Sequence, residues 1–324
     1  MTAFQTHNWQ RDARNPVFPP LEDFDCSACM NPFVIRRENE YWMFYAGGDA
    51  ANARRICLAI APVDDVANWK RIGPLFDLGA TGAFDDVWCV LPCVHRVGNR
   101  WHLYYTGNGR VGAGLQAFRG IGLAVSDDLL RWEKYSKEPV LKGDGFPEYP
   151  DNAGIAGGAR IVEVADGGST LLRMHYTLAV GTPSEDLLVD QRKLAVVAHS
   201  RDGIEWFDKR IVLEPRLDAD YENAATIALN VWPSANDFRA IYAGIGSRFG
   251  AYSICEAQSV DGLNWQRGAP GENLALAPQG DGWESAMVEY PNVVNEEESG
   301  RLRLFYCGNG YGATGIGTAM AEPI

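Results

Sequence analysis

Glu289 stands in a slot that the chain elsewhere fills with apolar side chains. Two places before a recurrent proline the sequence has Met30, Val90 and Val231, and then Glu289 ahead of Tyr290-Pro291. A carboxyl among such neighbours is stripped of water and its pKa rises, which suits a proton donor. The plainer role is a glutamate paired with an arginine or capping a neighbouring strand. A donor needs a base or nucleophile opposite it, and the candidates are Asp25, Asp85 and Asp86, with Asp151 next. An acid recurs at this place in every unit, as Asp25, Asp85, Asp151, Glu222 and Glu284. Its first expected role is therefore structural, accepting backbone N–H bonds where a strand begins.

Other residues also break the repetition. Asn31 and Arg160 are polar departures from their columns and suit hydroxyl or carboxylate binding. His175 occupies a slot held elsewhere by Phe44, Tyr104, Ile241 and Phe305. It is either a buried, hydrogen-bonded imidazole or a contact to a central ion or a substrate hydroxyl. The pattern requires no cofactor, and a central metal ion near His175 is the one ion it suggests. Trp88 and Tyr149 lie in segments that lead into first strands, where a ring either stacks on a ligand face or packs between units. His95, His102 and His199 sit at ordinary strand or turn positions. Gly308-Asn-Gly-Tyr-Gly-Ala-Thr-Gly315 has no helix with which to hold a phosphate and reads as a hairpin. Cys26-x-x-Cys29 and Cys89-x-x-x-Cys93 imitate a zinc pattern, yet Cys29 and Cys89 are equivalent repeat positions, which favours buried thiols.

These groups need a scaffold, and 324 residues with 46% hydrophobic content can bury a large core. The 29 Lys and Arg against 42 Asp and Glu give a net charge of −13, a field that repels nucleic acid and anionic membranes. No apolar run approaches the roughly 18–20 residues of a membrane span. The first residues lack a secretory pattern, and an odd cysteine count of 7 fits reduced thiols, so a cytoplasmic location is expected.

One phrase recurs: an aromatic, an acid, six residues and a proline, at Phe24-Asp25 to Pro32, Phe84-Asp85 to Pro92 and Trp283-Glu284 to Pro291. Looser versions are Tyr149-Pro-Asp151 and Tyr221-Glu222, running on to Pro233. Aromatic-rich runs follow, such as Tyr41-Trp-Met-Phe-Tyr45 and Trp101-His-Leu-Tyr-Tyr105, then a third run and a fourth headed by Trp69, Trp132, Trp206 or Trp265. Short β-branched and aromatic runs bounded by Gly, Asp and Asn read as strands. Four strands per unit, repeated five times, predict an all-β chain built as a five-bladed β-propeller over residues 1–324. The last unit lacks its fourth strand, and Asn8-Trp9 to Phe18 matches Asn68-Trp69 to Phe76, so the N-terminal strand is expected to complete the last blade. The long segments 144–157 and 181–192 are expected to cover a site.

The x-Pro first strands, the aromatic second strands and the corner Ala198-His-Ser200-Arg-Asp202-Gly-Ile-Glu-Trp206 make the chain similar to the five-bladed superfamily of family-43, family-32 and family-130 glycoside-active enzymes. That resemblance implies an Asp before the proline of blade one, a second in blade two and a Glu acid in blade three. Here Asn31 and Leu91 precede the prolines, and Gly157-Gly-Ala-Arg160 replaces the third motif. Glu289-Tyr-Pro291 is similar to the family-43 acid motif, but in the fifth blade. Asn31-Pro32 looks like family-130 phosphorylases, although their Arg-Asp-Pro element is not intact. The expected function is a glycoside hydrolase-like enzyme acting on a small-molecule or oligosaccharide substrate at a glycosidic or related acetal centre in the axial pocket. Alternatives are a glycoside phosphorylase with a basic pocket around Arg160 or Arg248, a non-hydrolytic cyclisation or elimination enzyme, and a non-catalytic glycan-binding propeller.

Overall fold

The computed structural model describes residues 4–111, 114–149, 156–181, 191–234, 237–296 and 299–324. Asp151 and most of the segments 144–157 and 181–192 lie at least partly outside them. The chain is nearly all β, and no helix among the described residues is long and apolar enough to cross a membrane.

After β1 (Gln10–Arg11), four antiparallel groups follow in chain order. The first is β2 (Ala28–Arg37), β3 (Glu40–Gly48), β4 (Arg54–Pro62) and β5 (Lys70–Pro74). The second is β6 (Trp88–Val97), β7 (Arg100–Val111), β8 (Gly114–Ser126) and β9 (Glu133–Lys134). The third is β10 (Ala156–Asp166), β11 (Ser169–Gly181), β12 (Gln191–Ser200) and β13 (Phe207–Leu213). The fourth is β14 (Ala225–Pro233), β15 (Phe238–Ile245), β16 (Tyr252–Ser259) and β17 (Leu274–Leu276). Last come β18 (Glu289–Glu296), β19 (Arg301–Cys307) and β20 (Ile316–Ala321), and here β1 supplies the outer strand, with Gln10 opposite Met320.

Each group is joined to the next at one place. Arg54 pairs in parallel with Trp88, Arg119 with Ala156 and Lys193 with Ala225, while Val288 N donates to the Tyr252 carbonyl at 3.2 Å. First strands touch in the order β2, β6, β10, β14, β18, and β18 also packs on β2. Apolar side chains fill the spaces between neighbouring groups, as where Phe44, Ile56 and Leu58 of the first meet Leu103 and Tyr105 of the second.

Every first strand carries a bulge at the same point, between Met30 and Phe33, Val90 and Cys93, Gly157 and Arg160, Ile227 and Asn230, and Glu289 and Asn292. The residue after the first of each pair is left-handed: Asn31, Leu91, Gly158, Ala228 and Tyr290 have φ of 56°, 55°, 71°, 55° and 51°. Four of these five have a side chain and bear strain of order 1 kcal/mol each, so the surrounding packing must hold the bulge in place. This geometry corrects the sequence alignment in the fourth group. Pro233 pairs with Phe238 at the far end of the strand, and Ile227, not Val231, is the counterpart of Glu289.

Side chains of one group cap the bulge amide of the next. Gly158 N donates to Thr106 Oγ1 at 2.8 Å, Ala228 N to Thr177 Oγ1 at 3.1 Å, and Asn31 N to Cys307 Sγ at 3.1 Å. In the first group Ala46 stands where Thr106 and Thr177 stand, and has no acceptor. Asn31 Oδ1 takes over, accepting from Leu91 N at 3.2 Å.

The N-terminal segment is held by more than strand pairing. His7 Nδ1 and Trp9 Nε1 lie 2.8 and 2.6 Å from the carboxylate of Glu256 on β16, which is buried. Trp9, Val17 and Phe18 are buried, and Phe18 bridges to Ile316.

Candidate active site

The recurrent acids form one structural device. Tyr45 donates to Asp25 at 2.7 Å, Tyr105 to Asp85 at 2.9 Å, Tyr242 to Glu222 at 2.5 Å and Tyr306 to Glu284 at 2.9 Å. A cation two places after the tryptophan of the outer strand completes each set. These pairs are Arg71 with Asp25 at 2.8 Å, Lys134 with Asp85 at 2.7 Å, Arg267 with Glu222 at 3.3 Å and Arg11 with Glu284 at 3.0 Å. Leu21 N and Glu22 N add two bonds to Asp25. Buried carboxylates so occupied pin the first strand to the second and fourth. The sequence anticipates a structural role here, but the partners are tyrosine and a cation more than backbone. The third group differs, with Asp208 in place of the cation. There the hydroxyl of buried Tyr176 has no hydrogen-bond partner among the described residues. Asp151 lies outside the described residues. Asp86 is half-buried and accepts from Gly82 N at 2.7 Å and Arg110 N at 3.0 Å, tying its loop to the end of β7.

Glu289 is different. It is 0% exposed, and neither carboxyl oxygen has a hydrogen-bond partner among the described residues. Burial pushes its pKa well above the usual carboxylate range, and the nearby Lys193 and Arg54 only partly offset that. The cations come from equivalent ends of third strands, where Arg54, Arg119, Lys193 and Tyr252 stand in four successive groups. Burial lowers the Lys193 ammonium to about 8, with Glu289 opposing the shift, and Lys193 Nζ is 3.5 Å from the Tyr252 hydroxyl. Arg54 lies over Trp88, 4.2 Å from the ring centre, and Arg119 donates to the Ala83 carbonyl at 2.8 Å. Tyr311 stands edge-on to Tyr252 at 6.0 Å, and burial raises its hydroxyl to about 12, with Glu289 adding to the shift. It rises from the glycine-rich segment, which joins antiparallel β19 and β20 as the expected hairpin, with left-handed backbone at Gly310 and Tyr311. Gly312 is required there, since a Cβ would fall 2.2 Å from the Cys29 carbonyl oxygen.

Lys193, Arg54, Tyr252 and Tyr311 were missed as site residues. The signal was available for two of them: Arg54 and Lys193, like Arg119, stand just before the apolar run of a third strand.

The remaining candidates are dispersed. Trp88 donates Nε1 to the Asn52 carbonyl at 2.6 Å and has Arg54 over its ring, so that face is taken. Tyr149 is half-buried against the cluster containing Phe146 and Tyr104. Asn31 is buried as the brace described above, with Nδ2 unpartnered. Arg160 is 2% exposed and donates to the carbonyls of Pro92 and Ala159, so it offers no open basic pocket, and Arg248 is an exposed side chain over Phe249.

His175 sits as the buried, hydrogen-bonded imidazole, the first of its two expected roles. Its Nε2 is 3.2 Å from the Gly262 carbonyl and its ring meets Trp265 edge-on at 6.0 Å. Tyr104 makes the same contact one group earlier, donating to the Gly203 carbonyl at 2.8 Å. No group of three or more His, Cys, Asp or Glu able to hold a metal ion occurs among the described residues. Burial depresses the His175 pKa to about 3. The folded state then binds fewer protons than the unfolded one between about pH 6.5 and 3, so the stability from this group is full above 6.5 and drains as pH falls through that window. At about 1.4 kcal/mol per unit, lowering pH from 6.5 to 5 costs about 2 kcal/mol. His175→Phe should narrow the difference in melting temperature between pH 7 and pH 5. An unchanged difference would mean that the acid sensitivity arises elsewhere.

In fold, the chain is similar to glycoside hydrolases and phosphorylases. A structure described as a glycoside hydrolase superposes with a TM-score of 0.72 at 17% identity, covering 98% of this chain and 92% of the other. One from work on the GH130 family of mannoside phosphorylases, which contains glycoside hydrolases that target β-1,2 mannosidic linkages in Candida mannan, gives 0.73 at 15% identity over 100% and 96%. A thermostable family-43 glycoside hydrolase gives 0.65 at 18% over 91% and 88%. In sequence, the chain is 28% identical to the uncharacterized protein Rv1502 of Mycobacterium tuberculosis, over 97% of this chain and 99% of that protein. No protein-family model matches the chain.

Proposed function

We propose that residues 1–324 form a single five-bladed β-propeller, closed by the N-terminal strand, which acts as an enzyme on a glycosidic or related acetal carbon of a saccharide. The reaction is placed where first strands begin around the axis. The cyclic order of first-strand contacts, with β18 packed on β2, supports the ring. The observation that carries the enzymatic reading is Glu289, a fully buried carboxyl with no hydrogen-bond partner for either oxygen among the described residues, whose pKa burial raises well above the usual carboxylate range. Such a group is matched to protonating a leaving oxygen as the C–O bond breaks.

Hydrolysis by a carboxylate pair requires a second carboxyl, about 5–5.5 Å away for retention or 6.5–9.5 Å for inversion. At the bulges, the counterparts of Glu289 are Met30, Val90, Gly157 and Ile227, and the recurrent acids are bound in their tyrosine–cation sets. A second reading, phosphorolysis, follows from that. Phosphate is itself the nucleophile and needs cations rather than a base, and Lys193 and Arg54 are the cations nearest Glu289.

The test is a panel of aryl glycosides and short oligosaccharides, each incubated with and without inorganic phosphate. Free reducing sugar in both arms indicates hydrolysis, and sugar 1-phosphate made only with phosphate indicates phosphorolysis. Saturable glycan binding with no turnover in either arm would leave a binding propeller and remove the enzymatic reading.

A further inference from the structure

Arg160 is a charged group without a counter-ion among the described residues. It stands just after the bulge of β10, 2% exposed, with its guanidinium 5.4 Å from the Phe33 ring centre. Nη1 donates to the carbonyls of Pro92 and Ala159 at 3.2 and 2.7 Å. Among the described residues Nε and Nη2, both buried, have no hydrogen-bond partner, and no carboxylate pairs with Arg160. Burying a guanidinium this way costs several kcal/mol unless an anion compensates it. The nearest ionisable group acting on it is the Cys93 thiol, which burial raises to about 11, so that group is neutral at ordinary pH.

Two further observations point to the same place. Asn31 Nδ2 is a second buried donor without an acceptor, and its Oδ1 holds Leu91 N, next to the Pro92 whose carbonyl holds Arg160. The residues on β10 are also smaller than their counterparts: Gly157, Gly158 and Ala159 replace Met30, Asn31 and Pro32, and a Cβ at Gly158 would make only ordinary contacts, the nearest 3.5 Å away at Thr177 Oγ1.

We propose that a small monovalent anion of the halide type resides in the interior beside Arg160, accepting from Nε and Nη2. The anion neutralises the guanidinium and supports the inner layer of strands below the bulges. Sulfate, a bulkier tetrahedral dianion, serves as the size control. The site is separate from Glu289, on which Arg160 exerts no resolved influence.

The experiment uses bromide as the probe. Full-length protein, exchanged into sodium isethionate, is titrated with sodium bromide or sodium sulfate at constant ionic strength and its melting temperature followed. Crystals grown in bromide are measured at the bromine absorption edge. The expected results are a saturable rise with bromide but not with sulfate, and an anomalous peak beside Nε and Nη2 of Arg160. Arg160→Met should abolish the bromide response, whereas Glu289→Gln should retain it. A water or a substrate carboxylate at that position, no anomalous peak, or a bromide response that persists in Arg160→Met would each overturn the proposal. The diffraction arm uses the parent protein, so it decides the matter even if Arg160→Met does not fold.

Discussion

Glu289→Gln should fold as the parent does and turn over glycosides with poor leaving groups roughly 10²–10⁴-fold more slowly, the range expected for loss of a general acid. The amide keeps the shape of the side chain and removes the proton. A substrate with a good leaving group, such as a dinitrophenyl glycoside, should lose far less, because its oxygen departs without protonation. The pH dependence provides an independent check. In the parent, activity should fall as pH rises through the elevated Glu289 pKa, and this limb should vanish in the variant. Stability should follow the same group. A folded pKa above the unfolded value contributes stability that is full below about pH 4.5 and is lost as pH rises towards the folded value. The variant should therefore melt higher than the parent in mild alkali. Equal turnover of all substrates by parent and variant would exclude Glu289 as the donor.

Deleting residues 1–18 should abolish cooperative folding near room temperature, or lower the melting temperature by tens of degrees. The deletion removes three buried apolar side chains, Trp9, Val17 and Phe18, each worth about 1.5–3 kcal/mol. It strips Arg11 from buried Glu284, and His7 and Trp9 from buried Glu256. A buried charge left without its partner costs about 3–5 kcal/mol. Together these losses rival the whole stability of an ordinary domain, about 5–15 kcal/mol. The edge of β20 would also be left unpaired and open to aggregation. Circular dichroism melts of the truncated and full chains measure the difference. Similar midpoints would show that the segment is a dispensable tail.

The local rules were legible in the chain. Four-run repetition, aromatic second strands, Trp-headed outer strands and the Ser-x-Asp-Gly corner each depend on neighbours only a few residues away, so sequence pattern alone placed nearly all the strands. The match of Trp9–Phe18 to Trp69–Phe76 also assigned the N-terminal strand correctly to β20. Glu289 stood out because a repeat supplies its own comparison: an ionisable group in an apolar column needs a reason.

The tertiary structure decided what each unusual residue meets. Residues 54, 193, 252, 289 and 311 come together only because successive four-stranded groups present equivalent strand ends to one another, a relation no local pattern expresses. The proline in the fourth unit misled the alignment, since a left-handed backbone at Ala228 makes the bulge there without proline. In sequence, Asp25 and Asp85 fit either structural acids or a base, and His175 fits either a buried imidazole or an ion contact. Their roles were set by a tyrosine and a cation from other strands and by a carbonyl of the next group. A buried polar side chain is defined by the partner that satisfies it, and in this chain those partners arrive from strands that only the packed fold brings alongside.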